Sequence, residues 1–336
     1  FGSSSVQPQP GLHLVANRPA MARPHVAAAL AVRALLALVT GAAAKRVPGA
    51  SSSLTSLLQV SLQAGRIGPD ISLLLQDHRC NCSTVFVTNF FTTREDPQWR
   101  IAQAPRFGYI EKYYKSVMSL PGAKAKAIIL YDALPEDLVS NFTAADGTVT
   151  FLKVNISKID PYAQVGLNDL RFQAFAALLE EHPEWDTVFF TDISDVTVHH
   201  NPCALVEQNS TKLFVGSEAS DLKRNGWLSK RFIEQMGGLY RRWYLDQPYD
   251  RFRVLNAGIV GGKRPVVAEF LKKLNKVLLD PSIADRRAGH VVKCNMPALN
   301  YVIDHEYSPS DIVTGVPLHS RFKGYQTGTD VYFTHK

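Results

Sequence analysis

The sequence predicts an α/β fold with a mostly parallel central sheet and helices on both faces. Three observations lead there. From residue 85 onward, short apolar runs alternate with longer amphipathic stretches, the pattern of strands joined by crossover helices. The 336 residues are 46% hydrophobic and 20% charged, which supplies a sizeable core in an ordinary globular chain. Polar and acidic residues gather just after the apolar runs, where open parallel sheets bind ligands.

The elements follow in order. Residues 85–90 (VFVTNF) read as a buried strand, and 102–119 as a helix carrying Phe107, Tyr109, Tyr113 and Tyr114. A second strand covers 127–131, a short helix 135–141 and a third strand 149–154. Residues 166–181 form an amphipathic helix that stops before His182-Pro183, since the residue before a proline leaves the helical region. Strands are expected at 188–191, 213–217 and 253–262, helices at 265–279 and 295–303, and a closing strand at 331–334. The residues after the strands are Thr88, Asn89, Asp132, Asp192 to Asp195, Glu218, Gly261, Gly262 and His335, and these are expected to form the ligand-binding rim.

Bulk properties exclude some functions. The formal charge is +7, but the basic residues are dispersed, so no nucleic acid is expected as partner. The four cysteines form no CxxC pair, which argues against structural zinc. They leave room for one bridge, for instance Cys203 to Cys294, in an oxidising compartment. Residues 1–20 precede Met21 and are read as lying outside the fold. Residues 21–44 have a basic start, an Ala/Leu/Val run interrupted by Arg33, and small residues at the end. That is the layout of a signal peptide or a signal anchor capable of holding the chain at a membrane. Four N-x-S/T sequons, at Asn81, Asn141, Asn155 and Asn209, agree with a lumenal protein. Residues 45–82 read as a stem, with one helix near 53–64, and 83–336 as a single catalytic domain.

The chemistry centres on VFFTDISDVTV, residues 188–198. An apolar strand delivers Asp192 and Asp195 at its end. Magnesium and manganese prefer oxygen ligands and are commonly held by one or two carboxylates together with phosphate oxygens. Two capping or solvated aspartates at a strand end are the structural alternative.

The segment resembles the DxD region of metal-dependent glycosyltransferases with the nucleotide-diphospho-sugar transferase (GT-A type) fold. It departs from the strict motif, because two residues separate the aspartates and Ser194 stands where the second would fall. Other segments resemble the same group in the same order. Residues 85–97 are similar to its first strand and uridine-binding loop, so Thr88 and Asn89 are expected to meet the base and Phe90 or Phe91 to stack on it. Asn168 to Phe172 resemble a helix whose basic residue approaches the nucleotide, here Arg171. LNAGIVGG, residues 255–262, resembles the Asn-Ala/Ser-Gly strand of glycogenin-like and galactinol-synthase-like enzymes. There Asn256 would face the donor sugar, and Gly258, Gly261 and Gly262 would admit the ligand close to the backbone. Residues 294–302 resemble a later helix, with Asn295 in place of a common aspartate and Asn300 matching its asparagine. At the chain's end the resemblance implies His335 as third metal ligand and Lys336 beside the diphosphate, with His319 and Lys323 as the other candidates.

The resemblance thus implies a Rossmann-like domain that transfers a sugar from a nucleoside-diphosphate donor, UDP-linked by expectation, to a glycan or glycoprotein acceptor. The cofactor would be Mn2+ or Mg2+, held by Asp192, Asp195 and His335. Asn256 and Glu218 would act in catalysis, with Glu218 or Asp221 as the base if the enzyme inverts. The compartment would be the secretory pathway, either the Golgi lumen as a type II membrane protein or the cell exterior. Two alternatives stay open. One is a catalytically inactive sugar-nucleotide-binding or scaffold protein of the same fold. The other is a magnesium-dependent phosphohydrolase of the haloacid-dehalogenase type, whose DxDx[TV] motif the chain lacks.

Overall fold

The computed structural model describes residues 82–95, 101–120, 125–160, 162–248, 253–324 and 330–336. The expected signal segment, the stem with its helix and the Asn81 sequon lie outside the described residues. Among those described, no helix is long and apolar enough to cross a membrane.

Four strands lie parallel at one side of the central sheet: β1 (Thr84–Phe90), β2 (Ala125–Tyr131), β3 (Val149–Lys153) and β4 (Thr187–Thr191). The connections between them carry α1 (Phe107–Met118), α2 (Glu136–Phe142), α3 (Ile156–Ile159) and α4 (Leu167–Glu181). β5 (Val196–Val198) and α5 (Cys203–Gln208) follow, then β6 (Leu213–Asp221). A 3₁₀ turn at Leu222–Arg224 leads into α6 (Gly226–Lys230), a π-helical turn at Arg231–Met236, and α7 (Gly238–Asp246). β7 (Arg253–Lys263), α8 (Arg264–Leu278), α9 (Ala284–Arg287), α10 (Asn295–Glu306), β8 (Ile312–Val313) and β9 (Phe333–His335) complete the chain. The sheet order is β3-β2-β1-β4-β7-β6-β8, and β7 alone runs antiparallel to its neighbours. The architecture is α/β with a mostly parallel seven-stranded sheet, consistent with a Rossmann-like fold.

The alternation of side chains along each strand builds two cores. Val85 and Val87 of β1, with Val188 and Phe190 of β4, face the layer made by α4, α8 and α10. Phe86, Phe90 and Phe189 point the other way, into a second core with Ile110, Tyr113 and Val117 of α1 and with Val196, Val198 and Phe333. β4 is buried at every position, as expected for a central strand covered on both faces.

Three expectations change. The closing strand does not join the central sheet: β9 pairs antiparallel with β5 in a separate two-stranded ribbon. β6 runs on to Asp221, past the end of its apolar run, because β7 pairs with it across a register shift and Glu218 bridges to Phe322. The disulfide joins Cys82 to Cys203, not Cys203 to Cys294. Cys294 is a free thiol in the core at the start of α10, while Cys203 opens α5 with its Cα 6.0 Å from that of Cys82.

Candidate active site

The carboxyl ends of β1 and β4 share one edge of the sheet. β7 is antiparallel, so its early residues reach that same edge: Thr191 pairs with Ile259, and the amide of Asp192 donates to the Gly258 carbonyl at 2.9 Å. The same reversal corrects the expectation for Gly261 and Gly262. They pair with Phe189 and Val188, toward the opposite edge, and do not line the rim. A Cβ on Gly261 would run into the Phe189 ring, so that glycine serves strand packing.

The ribbon completes the site. Its register sets His335 opposite Val196, and the Lys336 amide donates to the Asp195 carbonyl at 3.2 Å. Asp192, Asp195 and His335 therefore converge, with one potential ligand atom from each lying within 4.8 Å of the others. His335 Nε2 lies 3.8 Å from Asp192 Oδ2 and 3.7 Å from Asp195 Oδ2. Ligands each about 2.1 Å from one octahedral ion stand roughly 3 to 4.2 Å apart, so these spacings suit a shared cation.

The residues present fit a metal in two further respects. His335 is 3% exposed, yet neither ring nitrogen has a hydrogen-bond partner, and Asp195 Oδ1 has none either. Buried polar atoms are ordinarily satisfied, and a cation between the two carboxylates would satisfy His335 Nε2, the ring nitrogen that faces them. Gly258 provides the room. A Cβ there would collide with the His335 ring and would stand 2.6 Å from Asp192 Oδ2.

Arg171 is buried on the second turn of α4. It pairs through Nη1 with Asp192 Oδ1, and its Nη2 donates to the Ala257 carbonyl at 3.2 Å. Its partner is thus the acidic strand end. Burial raises the Asp192 carboxyl, but Arg171 and then His335 outweigh it and hold the group below the usual carboxylate range.

A cavity of about 670 Å³ opens over this cluster. Asn89, Arg171, Asp192, Asp195, Glu218, Asn256, Gly258, Asn295, Lys323, His335 and Lys336 all line it. Asn256 Oδ1 accepts from the Gly258 amide at 2.7 Å, and its Nδ2 donates to Glu218 Oε1 at 3.2 Å. Glu218 also accepts from Asn225 Nδ2 at 2.9 Å.

Several sequence expectations do not reach the cavity. Thr88 is fully buried, and its hydroxyl donates to the Thr191 carbonyl at 2.8 Å; it braces β1 against β4. Phe90 and Phe91 belong to the two cores. Phe90 stacks on Tyr109 at 5.1 Å, and it is Tyr109 that lines the cavity. Asp132 clamps the turn after β1 by accepting from the Thr92 and Thr93 amides. Asn300 sutures α10 to β7 through the Leu255 amide and carbonyl. His319 is fully buried, donating from Nδ1 to the Ser320 carbonyl and accepting at Nε2 from the Gly315 amide. Burial pushes it down to about 4, so it is a neutral structural imidazole. Asp221 pairs with Arg224 at the end of β6.

Cavity residues that sequence reasoning missed are Tyr109, Asp169, Trp227, Arg231, Lys293 and Phe322. Asp169 accepts from the amides of Cys294 and Asn295 at 2.6 and 3.0 Å, capping α10 from another helix. Burial pushes its carboxyl up to about 7. Lys112, exposed on α1, is lowered by burial and by the neighbouring Lys336 ammonium. No family model matches the chain, and no curated protein shows significant sequence similarity to it.

Proposed function

We propose that the chain is a glycosyltransferase of the nucleotide-diphospho-sugar transferase type, dependent on Mn2+ or Mg2+. The observation that carries this reading is the convergence of Asp192, Asp195 and the buried His335, whose ring nitrogens make no hydrogen bond, in a cavity lined by cationic groups. A phosphohydrolase reading has no comparable support, since Ser194 stands where its second aspartate would be.

The three side chains would hold the cation, whose charge stabilises a departing diphosphate. Lys336 and Lys323 line the same wall and supply point charges for phosphate oxygens. Arg171 fixes the orientation of Asp192. The sheet order supports one layout of the donor. Asn89 on β1, Asp192 after β4, Asn256 on β7 and Glu218 on β6 stand in that sequence across the edge. A nucleoside beside Asn89 and Tyr109, with its diphosphate at Asp192 and Asp195, carries its sugar toward Asn256. That amide both donates and accepts, as sugar hydroxyls require. Of the four carboxylates lining the cavity, two belong to the cation cluster and Asp169 caps α10, so in an inverting reaction Glu218 is the one placed to receive the acceptor's proton.

The disulfide and the sequons support a lumenal compartment. Asn141 and Asn155 are exposed, whereas Asn209 is half-buried and donates from Nδ2 to the Leu205 carbonyl. The reading is tested by calorimetric titration of UDP into the purified chain with and without MnCl2, followed by a screen of UDP-sugars for slow hydrolysis. Metal-dependent UDP binding that Asp195→Ala abolishes is expected. UDP binding indifferent to metal, in a folded protein, would overturn it.

A further inference from the structure

Trp227 is left unexplained by that scheme. Large aromatic side chains are on average well buried, but Trp227 is 46% exposed and lines the cavity. Its exposure is built on a rigid base. Asn225 caps α6 by accepting from the Leu228 amide at 3.0 Å while its Nδ2 holds Glu218. Leu228 and Phe232 are fully buried, and Phe232 stacks on Tyr244 at 5.0 Å. The helix then widens into the π-helical turn, a rare geometry enriched at functional sites. Gly237 and Gly238 end it with φ of 64° and 51°, values that disfavour a side chain. Within this turn the Arg231 guanidinium lies 4.9 Å from the centroid of the Trp227 ring.

We propose that Trp227 is the stacking platform for a pyranose ring of the acceptor, which makes the acceptor a glycan and not a bare peptide hydroxyl. The proposal rests on the glycosyltransferase reading and specifies its second substrate. Placement separates the two substrates. The nucleoside side of the cavity is Asn89 and Tyr109 at β1, whereas Trp227 follows β6, two strands beyond β4. Chemistry selects the ring. A pyranose presents a face of C–H groups and an edge of hydroxyls. The exposed indole meets the first, and Glu218 with Asn256, joined to α6 through Asn225, meets the second. A peptide hydroxyl has no flat apolar face to cover the indole.

The test uses the full chain, its Trp227→Ala and Trp227→Phe variants, and UDP binding as a prior measurement. With UDP and diamagnetic Mg2+ bound, saturation-transfer NMR is recorded on methyl pyranosides of glucose, galactose, mannose, xylose and N-acetylglucosamine, and on a Ser/Thr peptide. At least one pyranoside is expected to receive transfer on one ring face. Its affinity should fall about tenfold or more in Trp227→Ala, the size of a lost stacking contact, and recover largely in Trp227→Phe, with UDP affinity unchanged in all three proteins. Pyranoside binding unaffected by Trp227→Ala overturns the proposal, as does weakened UDP binding in that variant, which would make the indole a nucleoside contact. Absence of pyranoside binding in wild-type protein that binds UDP also overturns it. Failure of wild-type protein to bind UDP with metal overturns the glycosyltransferase reading first, before any glycan is added.

Discussion

Gly258 and Gly261 stand three residues apart on β7, and substituting each with alanine separates metal-site geometry from strand packing. At Gly258 an added Cβ collides with the His335 ring and lies 2.6 Å from Asp192 Oδ2 and 2.9 Å from His335 Nε2. At Gly261 the collision is with the Phe189 ring, in the core at the middle of the β4–β7 pairing. Neither glycine needs a positive φ, so the cost is steric in both. Overpacking of this kind costs about 1–3 kcal/mol, and urea denaturation should show losses in that range for both variants. Their effects on metal diverge. Gly258→Ala must push His335 away from Asp192, and losing about 1.4 kcal/mol of coordination energy already weakens binding tenfold. Its Mn2+ affinity, read from UDP titrations at graded MnCl2, should fall at least that much. Gly261→Ala should bind Mn2+ as wild type does once folded. Equal Mn2+ affinity in the two variants would refute the assignment of this cluster as a metal site.

Three other outcomes are expected. MnCl2 should raise the melting temperature and EDTA should cancel the rise, because the cation satisfies buried atoms whose unmet bonds cost about 1–3 kcal/mol each; His335→Ala should abolish the effect, and a melting temperature indifferent to Mn2+ would count against the site. Asp169 has a folded carboxyl raised to about 7, so its contribution is fully present below the unfolded value near 4 and is lost as pH rises through 7. The loss amounts to at most about 4 kcal/mol, and urea midpoints measured from pH 4 to 8 should show this slope in wild type and a flatter one in Asp169→Asn. Reducing the Cys82–Cys203 bridge, which closes a separation of 121 residues, should cost about 2–5 kcal/mol by chemical denaturation with and without dithiothreitol.

The parallel part of the fold is legible in sequence because each strand there is an apolar run bounded by polar residues. β1, β2, β3 and β4 lie within a residue or two of their expected positions. What periodicity does not carry is strand direction. The run at 253–263 reads the same whether parallel or antiparallel, and taking it as parallel put Gly261 and Gly262 at the rim, whereas Asn256 and Gly258, expected at the site from the resemblance alone, are the residues that line the cavity. Nor does an apolar triplet announce its partner. Val196–Val198 is too short for a strand signal of its own, and the closing strand expected at 331–334 carries no sign of its partner, yet their pairing brings His335 to Asp195.

The cavity wall divides along the same line. Asn89, Asp192, Asp195 and Glu218 were legible because they stand at or just after apolar strand runs, whereas Asp169 on α4 was not. Trp227 and Arg231 lie on a short helix and a π-helical turn with no strand before them in register, and their approach to Glu218 depends on Asn225, a cap that serves two elements at once. The coupling has a consequence for mutagenesis. Glu218 accepts from Asn256 on one side and from Asn225 on the other, so removing its carboxylate also loosens the α6 cap and Asn256, the residue proposed to face the sugar. Loss of activity in Glu218→Ala would therefore mix proton transfer with positioning. Glu218→Gln keeps one carbonyl acceptor, so it is the variant in which a retained sugar affinity and a lost turnover would isolate the acid–base role.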